Sequence, residues 1–283
     1  MLRQGSLFLL RVGGTSHLRK GWHCLDISIL ENERLDDLQY KGLKLLQKKD
    51  GFCFGVDAVL LSHFAQVAKD STVIDLGTGT GIIAVLLAGK REPRKVIGLE
   101  IQPEIAEMAA RSVKLNGLEG KVEIVQGDIK DAVKLFGASS FDAVVSNPPY
   151  MEKGGGLLNP ADTKAIARHE ILCTLEDVVS AAARLLKPGG RFYMVHRPQR
   201  LADIICQMRS HTIEPKYLRL IHPSPGKKPN LLLISGTRNG NPELVVQEPL
   251  YIYDSEGHYS REIDQIYNRD TDALPEITHD MEI

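Results

Sequence analysis

Cysteine is sparse in this 283-residue chain, and Cys24, Cys53, Cys173 and Cys206 stand far apart with no C-x-x-C pair. That spacing argues against a disulfide framework or a structural zinc site and suits reduced thiols in a cytoplasm. No apolar run approaches the roughly 18 residues of a membrane-spanning helix. At the N-terminus only Leu7 to Leu10 follow Arg3 as an apolar core, too short for a secretory signal. Charge of neither sign dominates: 35 Lys and Arg oppose 36 Asp and Glu, so global basicity does not mark nucleic-acid binding. The expectation is a cytoplasmic protein with no membrane association, no metal and no obligate protein partner.

Charge is nevertheless unevenly spread. Residues 187–240 carry ten Lys and Arg against two acids, whereas residues 241–283 carry two against eleven. The basic stretch is a candidate polyanion face, or else a set of solvated charges offset by an acidic tail. From residue 71 onward, strand-like and helix-like runs alternate. Strands are expected at Ser71–Leu76, Lys95–Ile101, Val122–Gly127, Phe141–Ser146, Arg191–His196, Tyr217–His222 and Leu231–Ser235. Helices are expected at Gly81–Lys90, Pro103–Asn116, Asp131–Phe136, Leu175–Leu186 (closed by Lys187-Pro188-Gly189-Gly190) and Pro198–Ser210. Continuous apolar strands separated by helices predict an α/β fold with a doubly wound, mostly parallel seven-stranded sheet. The last two strands leave no room for a helix between them, which predicts an antiparallel edge. Residues 1–30 are expected to form an arm or disordered leader. Residues 31–67 are expected to hold a hairpin over Leu43–Phe54 turning at Lys48-Lys49-Asp50-Gly51, then the helix Val56–Val67. The α/β domain spans 68–254, and a mobile acidic tail spans 255–283.

After the first strand comes Asp75-Leu76-Gly77-Thr78-Gly79-Thr80-Gly81. Glycines there let a ligand approach the main chain, and the first βα loop of an open parallel sheet is where a nucleotide-like ligand sits. The spacing G-x-G-x-G departs from the G-x-G-x-x-G of dinucleotide folds, which argues against hydride transfer. Asp75 suits a ligand with a cationic amino group. Glu100 ends the second strand, where a carboxylate can accept both hydrogen bonds of a ribose diol. Asp128 follows the third, where an acid can accept from an adenine amino group. Three carboxylates at the ends of three successive strands predict an adenosine-containing cofactor.

DLGTGTG, then GLE, then GDI resemble the class I S-adenosylmethionine-dependent methyltransferases over residues 55–236. The resemblance implies a Rossmann-like methyltransferase fold and S-adenosyl-L-methionine as cofactor. It also implies a cofactor pocket of Asp75, Gly77, Thr78, Gly79, Thr80, Gly81, Glu100, Ile101, Asp128 and Ile129.

The fourth strand stops at Asn147-Pro148-Pro149-Tyr150, and two consecutive prolines cannot continue a ladder. An exocyclic amine conjugated to a ring is a poor nucleophile because its lone pair is delocalised. The Asn147 side-chain oxygen and the Pro148 carbonyl offer two acceptors for its N–H groups, and Tyr150 a flat face for a planar base. Asn147, Pro148 and Tyr150 are thus the candidate catalytic residues, Asn147 also facing the cofactor and Pro149 and Tyr150 the substrate. A plain proline turn capped by Asn147 is the bland alternative.

The stretches ERLDDL (33–38), GFCFGVDAVLL (51–61), ARHE (167–170) and HPSPGKKPN (222–230) are similar to the bacterial family that methylates N6 of the adenosine beside the anticodon of a valine tRNA. This resemblance covers residues 31–255 and implies tRNA as partner. It also places Val56 and Asp57 over the methionine end of the cofactor. Enzymes methylating glutamine in release factors and guanine N2 in ribosomal RNA share the NPPY turn, and a catalytically silent RNA-binding module could keep the fold. His196, Arg197, Lys227 and Lys228 are the candidate phosphate contacts. His169 and Glu170 either satisfy each other at a helix start or touch substrate.

Overall fold

The computed structural model describes residues 29–49, 55–148 and 173–269, so the expected leader lies almost wholly outside them. The chain enters through an antiparallel hairpin, β1 (Glu33–Asp37) and β2 (Lys44–Lys48). Its turn spans residues 38–43 and not Lys48 to Gly51, of which Asp50 and Gly51 lie outside the described residues. The Asp37 carboxylate accepts the Gln39 N–H at 2.7 Å, and Gly42 takes a left-handed φ of 74° just before β2. An Asx turn followed by a left-handed glycine reverses the chain as well as a Gly-containing tetrapeptide does.

Helix α1 (Val56–Phe64) precedes the main sheet. Then β3 (Thr72–Leu76), α2 (Ile82–Lys90), β4 (Lys95–Glu100), α3 (Pro103–Leu115), β5 (Val122–Gln126), α4 (Ala132–Phe136) and β6 (Phe141–Ser146) alternate as expected. After them come α5 (Leu175–Leu185), β7 (Leu186–His196), α6 (Leu201–Ser210), β8 (Ile213–His222) and β9 (Leu231–Arg238). The two-residue strands β10 (Val245–Val246) and β11 (Leu250–Tyr251) pair in succession with the edge of β8 opposite β9. The seven long strands lie in the order β5-β4-β3-β6-β7-β9-β8. The closing pair is antiparallel, as expected, and β9 enters between β7 and β8 and runs against both.

Successive side chains of the central strands alternate between the two faces and build a core on each. On β6, Ala143 and Val145 join Leu60 of α1 and Leu86 of α2, while Phe141 and Val144 join Val179 of α5 and Ile204 of α6. A parallel strand covered on both sides is apolar on both faces, which is why Ala143, Val144 and Val145 run without alternation, while the half-buried Asp142 accepts from the Thr72 N–H and from Lys187. Thr174 and Asp177 form a reciprocal capping box that starts α5. Its end differs from expectation. Lys187-Pro188-Gly189-Gly190 is not a closing turn but the first part of β7, which pairs through Leu186 with Phe141. A register shift between Phe141 and Ala143 accommodates the stretch, with Gly189 at φ 78°. A bulge tolerates the missing proline donor.

The hairpin is clamped to α3. Asn116 pairs with the Lys44 backbone, accepting its N–H at 2.9 Å and donating to its carbonyl at 2.7 Å, and Ser112 Oγ accepts the Leu46 N–H at 3.0 Å. Helix side chains thereby satisfy an otherwise open strand edge. At the other end, the expected mobile tail is packed as far as residue 269. Helix α7 (Arg261–Ile266) buries Ile263 and Ile266 in the α1 core, and Glu262 takes both Nη groups of Arg219 on β8, at 2.6 and 2.8 Å. No helix among the described residues is long and apolar enough to cross a membrane.

Candidate active site

The sheet order creates the site. From β3 the chain builds outward through β4 and β5, then returns to lay β6 on the other side of β3. The crevice beyond the carboxyl ends of β3 and β6 is the switch point at which open α/β sheets bind ligands. The strand registers put Leu76 beside Leu99, Asp75 beside Val145, and Glu100 beside Gln126. The glycine loop after β3 therefore lies between Glu100 on one side and Asn147 on the other. With strands about 4.8 Å apart, the two flank the loop at one spacing each.

The loop is held open by its backbone. Gly77, Gly79 and Gly81 take left-handed φ values of 74°, 57° and 86°. The N–H groups of Gly77 and Thr78 both donate to the Leu99 carbonyl, at 2.9 and 3.0 Å. Glu100 clamps the loop from β4: Oε2 accepts the Gly79 N–H at 2.9 Å, and Oε1 accepts the Gln102 backbone N–H at 3.0 Å. Oε1 also accepts the Gln102 side-chain amide at 3.3 Å, whereas Oε2 keeps a further lone pair for a ribose hydroxyl. A Cβ placed on Gly79 would meet no atom within 4 Å, and one on Gly77 only Ile129 Cδ1 at 3.9 Å. The loop thus presents bare main chain to open space, with Ile129 as an apolar neighbour. Close packing behind it is another matter, because a Cβ on Gly98 would lie 2.9 Å from Thr78.

Asp75 is wholly buried in β3, with Oδ2 accepting the Thr78 hydroxyl at 2.6 Å. Its Oδ1 is buried without a partner among the described residues. Burial pushes the carboxyl up to about 7; the Thr78 hydroxyl partly offsets this, and the nearby Glu100 charge adds to it. A buried, half-satisfied carboxylate is costly unless a cation or donor reaches it. This donor set fits S-adenosylmethionine: a carboxylate short of a partner for an ammonium group, an acid beside the loop for the ribose, and exposed backbone between them.

The remaining expected residues divide. Asp128 caps the turn after β5, accepting the Lys130 N–H at 2.9 Å, and Ile101 and Ile129 are half-buried beside their acids. Asn147 is half-buried and Pro148 buried at the end of β6, where the Ser146 hydroxyl ties β6 to the Leu76 carbonyl at 2.8 Å. Pro149, Tyr150, His169 and Glu170 lie outside the described residues. Asp57 is buried at the start of α1, accepting the Ala58 N–H at 2.9 Å, and Val56 is half-buried beside it. Lys227 and Lys228 are exposed on the β8–β9 hairpin, and Arg197 donates to the Asn230 carbonyl of the same hairpin at 2.9 Å.

His196 is a correction. Read from sequence as a phosphate contact, it is only 3% exposed at the end of the inner strand β7. Its Nδ1 accepts the Arg197 N–H at 2.8 Å, and burial, followed by the Arg200 charge, holds its pKa down at about 4. A neutral, buried imidazole offers no charge to a phosphate. Sequence reading in turn missed the Ser146 tether and a group of tyrosines beyond residue 250. Four of the eight tyrosines fall between residues 251 and 267, which was the available signal.

The family described as methyltransferase small domain matches residues 54–210, from α1 to the end of α6. A tRNA1(Val) (adenine(37)-N6)-methyltransferase of Porphyromonas gingivalis is 30% identical over 236 residues, which are 80% of this chain and 91% of that protein. The protein of the same name from Bacteroides thetaiotaomicron is 32% identical over 233 residues, 81% of this chain and 94% of its own length. Among solved structures, one titled a predicted O-methyltransferase from Agrobacterium tumefaciens is similar with a TM-score of 0.61 at 24% identity, covering 75% of this chain and 95% of that one. That likeness concerns the fold. A glycine loop at the switch point, the buried carboxylates of Asp75 and Glu100 against it and a family match over more than half the chain lead to one conclusion: the protein belongs to the methyltransferase small domain family and is an S-adenosylmethionine-dependent methyltransferase.

Proposed function

We propose that the enzyme methylates N6 of an adenine in tRNA and, by likeness to its relatives, the adenosine at nucleotide 37 beside the anticodon of a valine tRNA. The observation that carries this reading is the 30% identity, over nine-tenths of their length, to proteins named for that reaction. The position of Asn147 and Pro148 at the switch point supports it.

S-adenosylmethionine supplies an electrophilic methyl group on a sulfonium. In this reading Asp75 faces its ammonium group, Glu100 its ribose and Asp128 its adenine. The Asn147 side-chain oxygen and the Pro148 carbonyl accept the two N–H groups of the target amine. Fixing both protons turns the lone pair out of conjugation and toward the methyl, an effect of orientation and preorganised dipoles. No strong base is needed among the residues, because the amine gives up its proton readily once methylated. Reaching a base in an anticodon loop requires splaying it out of its stack, the general requirement for chemistry on a base. Lys227, Lys228 and Arg197 would meet the backbone on the outer side, in a cytoplasmic enzyme.

The test is incubation with labelled cofactor and bulk tRNA, rRNA and protein from a strain lacking the enzyme, followed by nucleoside and amino-acid analysis. Label in N6-methyladenosine from tRNA is expected. Label in N5-methylglutamine, or in N2-methylguanosine from rRNA, would replace the proposed substrate.

A further inference from the structure

Beyond β11 the chain forms a compact aromatic group that the reaction chemistry leaves unused. The rings of Tyr253 and Tyr259 stack with centroids 5.1 Å apart and planes inclined by 26°, and their backbones form an antiparallel bridge. The Arg269 guanidinium carbon lies 4.5 Å from the Tyr259 centroid and 4.7 Å from that of Tyr267. Arg269 is itself fixed, donating to Gln39 Oε1 at 2.9 Å and to Asp264 Oδ1 at 3.2 Å. The Asp264 and Glu262 carboxylates are engaged by Arg269 and Arg219, and Asp254 Oδ1 closes its own turn by accepting the N–H groups of Glu256 and His258. The acids around the stack thus all have internal partners, the most exposed being Glu256, whose carboxylate lies 3.7 Å from His258 Nδ1.

Two features make this group unlike a core cluster. Tyr253 and Tyr259 are 39% and 44% exposed, although apolar rings held this firmly are ordinarily covered. They also sit at the functional end of the sheet. The Tyr253 N–H donates to the Pro223 carbonyl at 2.9 Å, at the root of the β8–β9 hairpin that carries Lys227 and Lys228. β8 runs parallel to β6 and β7, so its end at His222 faces the same way as the end of β6 at Asn147. Three strand spacings separate the two ends, about 14 Å. That span suits the nucleotides flanking a splayed base. A pre-stacked, cation-anchored pair of rings beside exposed lysines is what single-stranded nucleic acid requires: flat faces for bases and charge for phosphates.

We propose that Tyr253, backed by Tyr259 and Arg269, is a stacking platform for an unpaired base of the RNA substrate, next to the phosphate-contacting hairpin. The inference rests on the tRNA reading above. Its test measures steady-state methylation of an unmodified valine tRNA transcript and equilibrium binding of S-adenosylmethionine, for the wild type, Tyr253→Ala and Tyr253→Trp. Removing the ring is expected to raise KM for the transcript roughly 5- to 150-fold, the range of one base–aromatic stack, with kcat and cofactor affinity little changed. Tyr253→Trp, which keeps a flat face without the hydroxyl, is expected to restore KM. A wild-type KM in Tyr253→Ala overturns the platform while leaving the substrate reading intact. Failure of Trp to rescue overturns stacking in favour of a role for the hydroxyl. A wild type that methylates no tRNA adenosine overturns both.

Discussion

The two ends of one sheet edge solve opposite problems. At the carboxyl ends of β3 and β4, the Asp75 and Glu100 carboxylates are buried and tied to Thr78, Gly79 and Gln102. At the carboxyl end of β8, Lys227 and Lys228 stand in solvent beside the partly exposed, stacked rings of Tyr253 and Tyr259. The first region suits a small ligand held by rigid geometry, at the expense of a half-satisfied buried acid. The second suits a large polyanion, where exposure is an advantage and each contact contributes little. The cradle should therefore respond to substitution in pH dependence and turnover, and the outer edge in salt dependence and KM.

The largest expected effect is at Asp75. Its folded-state pKa is raised to about 7 from 3.8. Between those values the folded protein holds a proton that the unfolded chain has released, so stability falls as pH rises through that window. Unfolding titrations of the wild type and Asp75→Asn, taken as a difference, should show a loss on the order of 4 kcal/mol between about pH 4 and pH 8. Saturating S-adenosylmethionine should flatten that slope by presenting a cation to the ionised carboxylate. A flat difference without cofactor would show that Asp75 is already paired and that the cradle is not strained.

Next comes Asn147→Ala, expected to lower kcat about 100- to 1000-fold while leaving cofactor affinity within a few-fold. Near-normal turnover, measured by single-turnover methyl transfer, would remove the amide from the mechanism. The smallest effect is expected at the edge. Replacing Lys227 and Lys228 together by Ala should weaken tRNA binding and reduce the slope of log K against log salt by about 2. The same double variant should bind S-adenosylmethionine normally. An unchanged slope would place the phosphate contacts elsewhere, and a changed cofactor affinity would erase the contrast between the two regions.

Legibility of the molecule followed the locality of its causes. Phe141–Ser146 reads as a strand and is one, because a doubly covered parallel strand places apolar side chains such as Val144 and Val145 on both faces. The glycine loop, Glu100 and Asp128 were legible because each follows directly from the end of a strand. The hairpin turn was misplaced because Lys48 to Gly51 carries the stronger turn signature. The actual reversal uses an Asp37 side-chain bond and left-handed backbone at Gln39, Lys41 and Gly42. Pro188-Gly189-Gly190 read as a helix stop, yet β7 begins directly after α5 because pairing of Leu186 with Phe141 offsets the poor strand propensity. α7 was lost in an acidic composition, its burial depending on two isoleucines and on Glu262 meeting Arg219 across 43 residues.

Periodicity, strand-end carboxylates and the glycine spacing were enough on their own to specify a doubly wound α/β fold with a site for an adenosine-containing cofactor, since each depends on contacts within a few residues or on a rule of sheet topology; methyl transfer from S-adenosylmethionine came from the resemblance of those motifs to a family. Only the tertiary structure decided that His196 is a neutral core residue, that Asp75 is left short of a partner, and that Tyr253, Tyr259 and Arg269 meet beside the lysine hairpin. Burial and charge are properties of what the rest of the chain brings alongside a residue, and no local pattern encodes that.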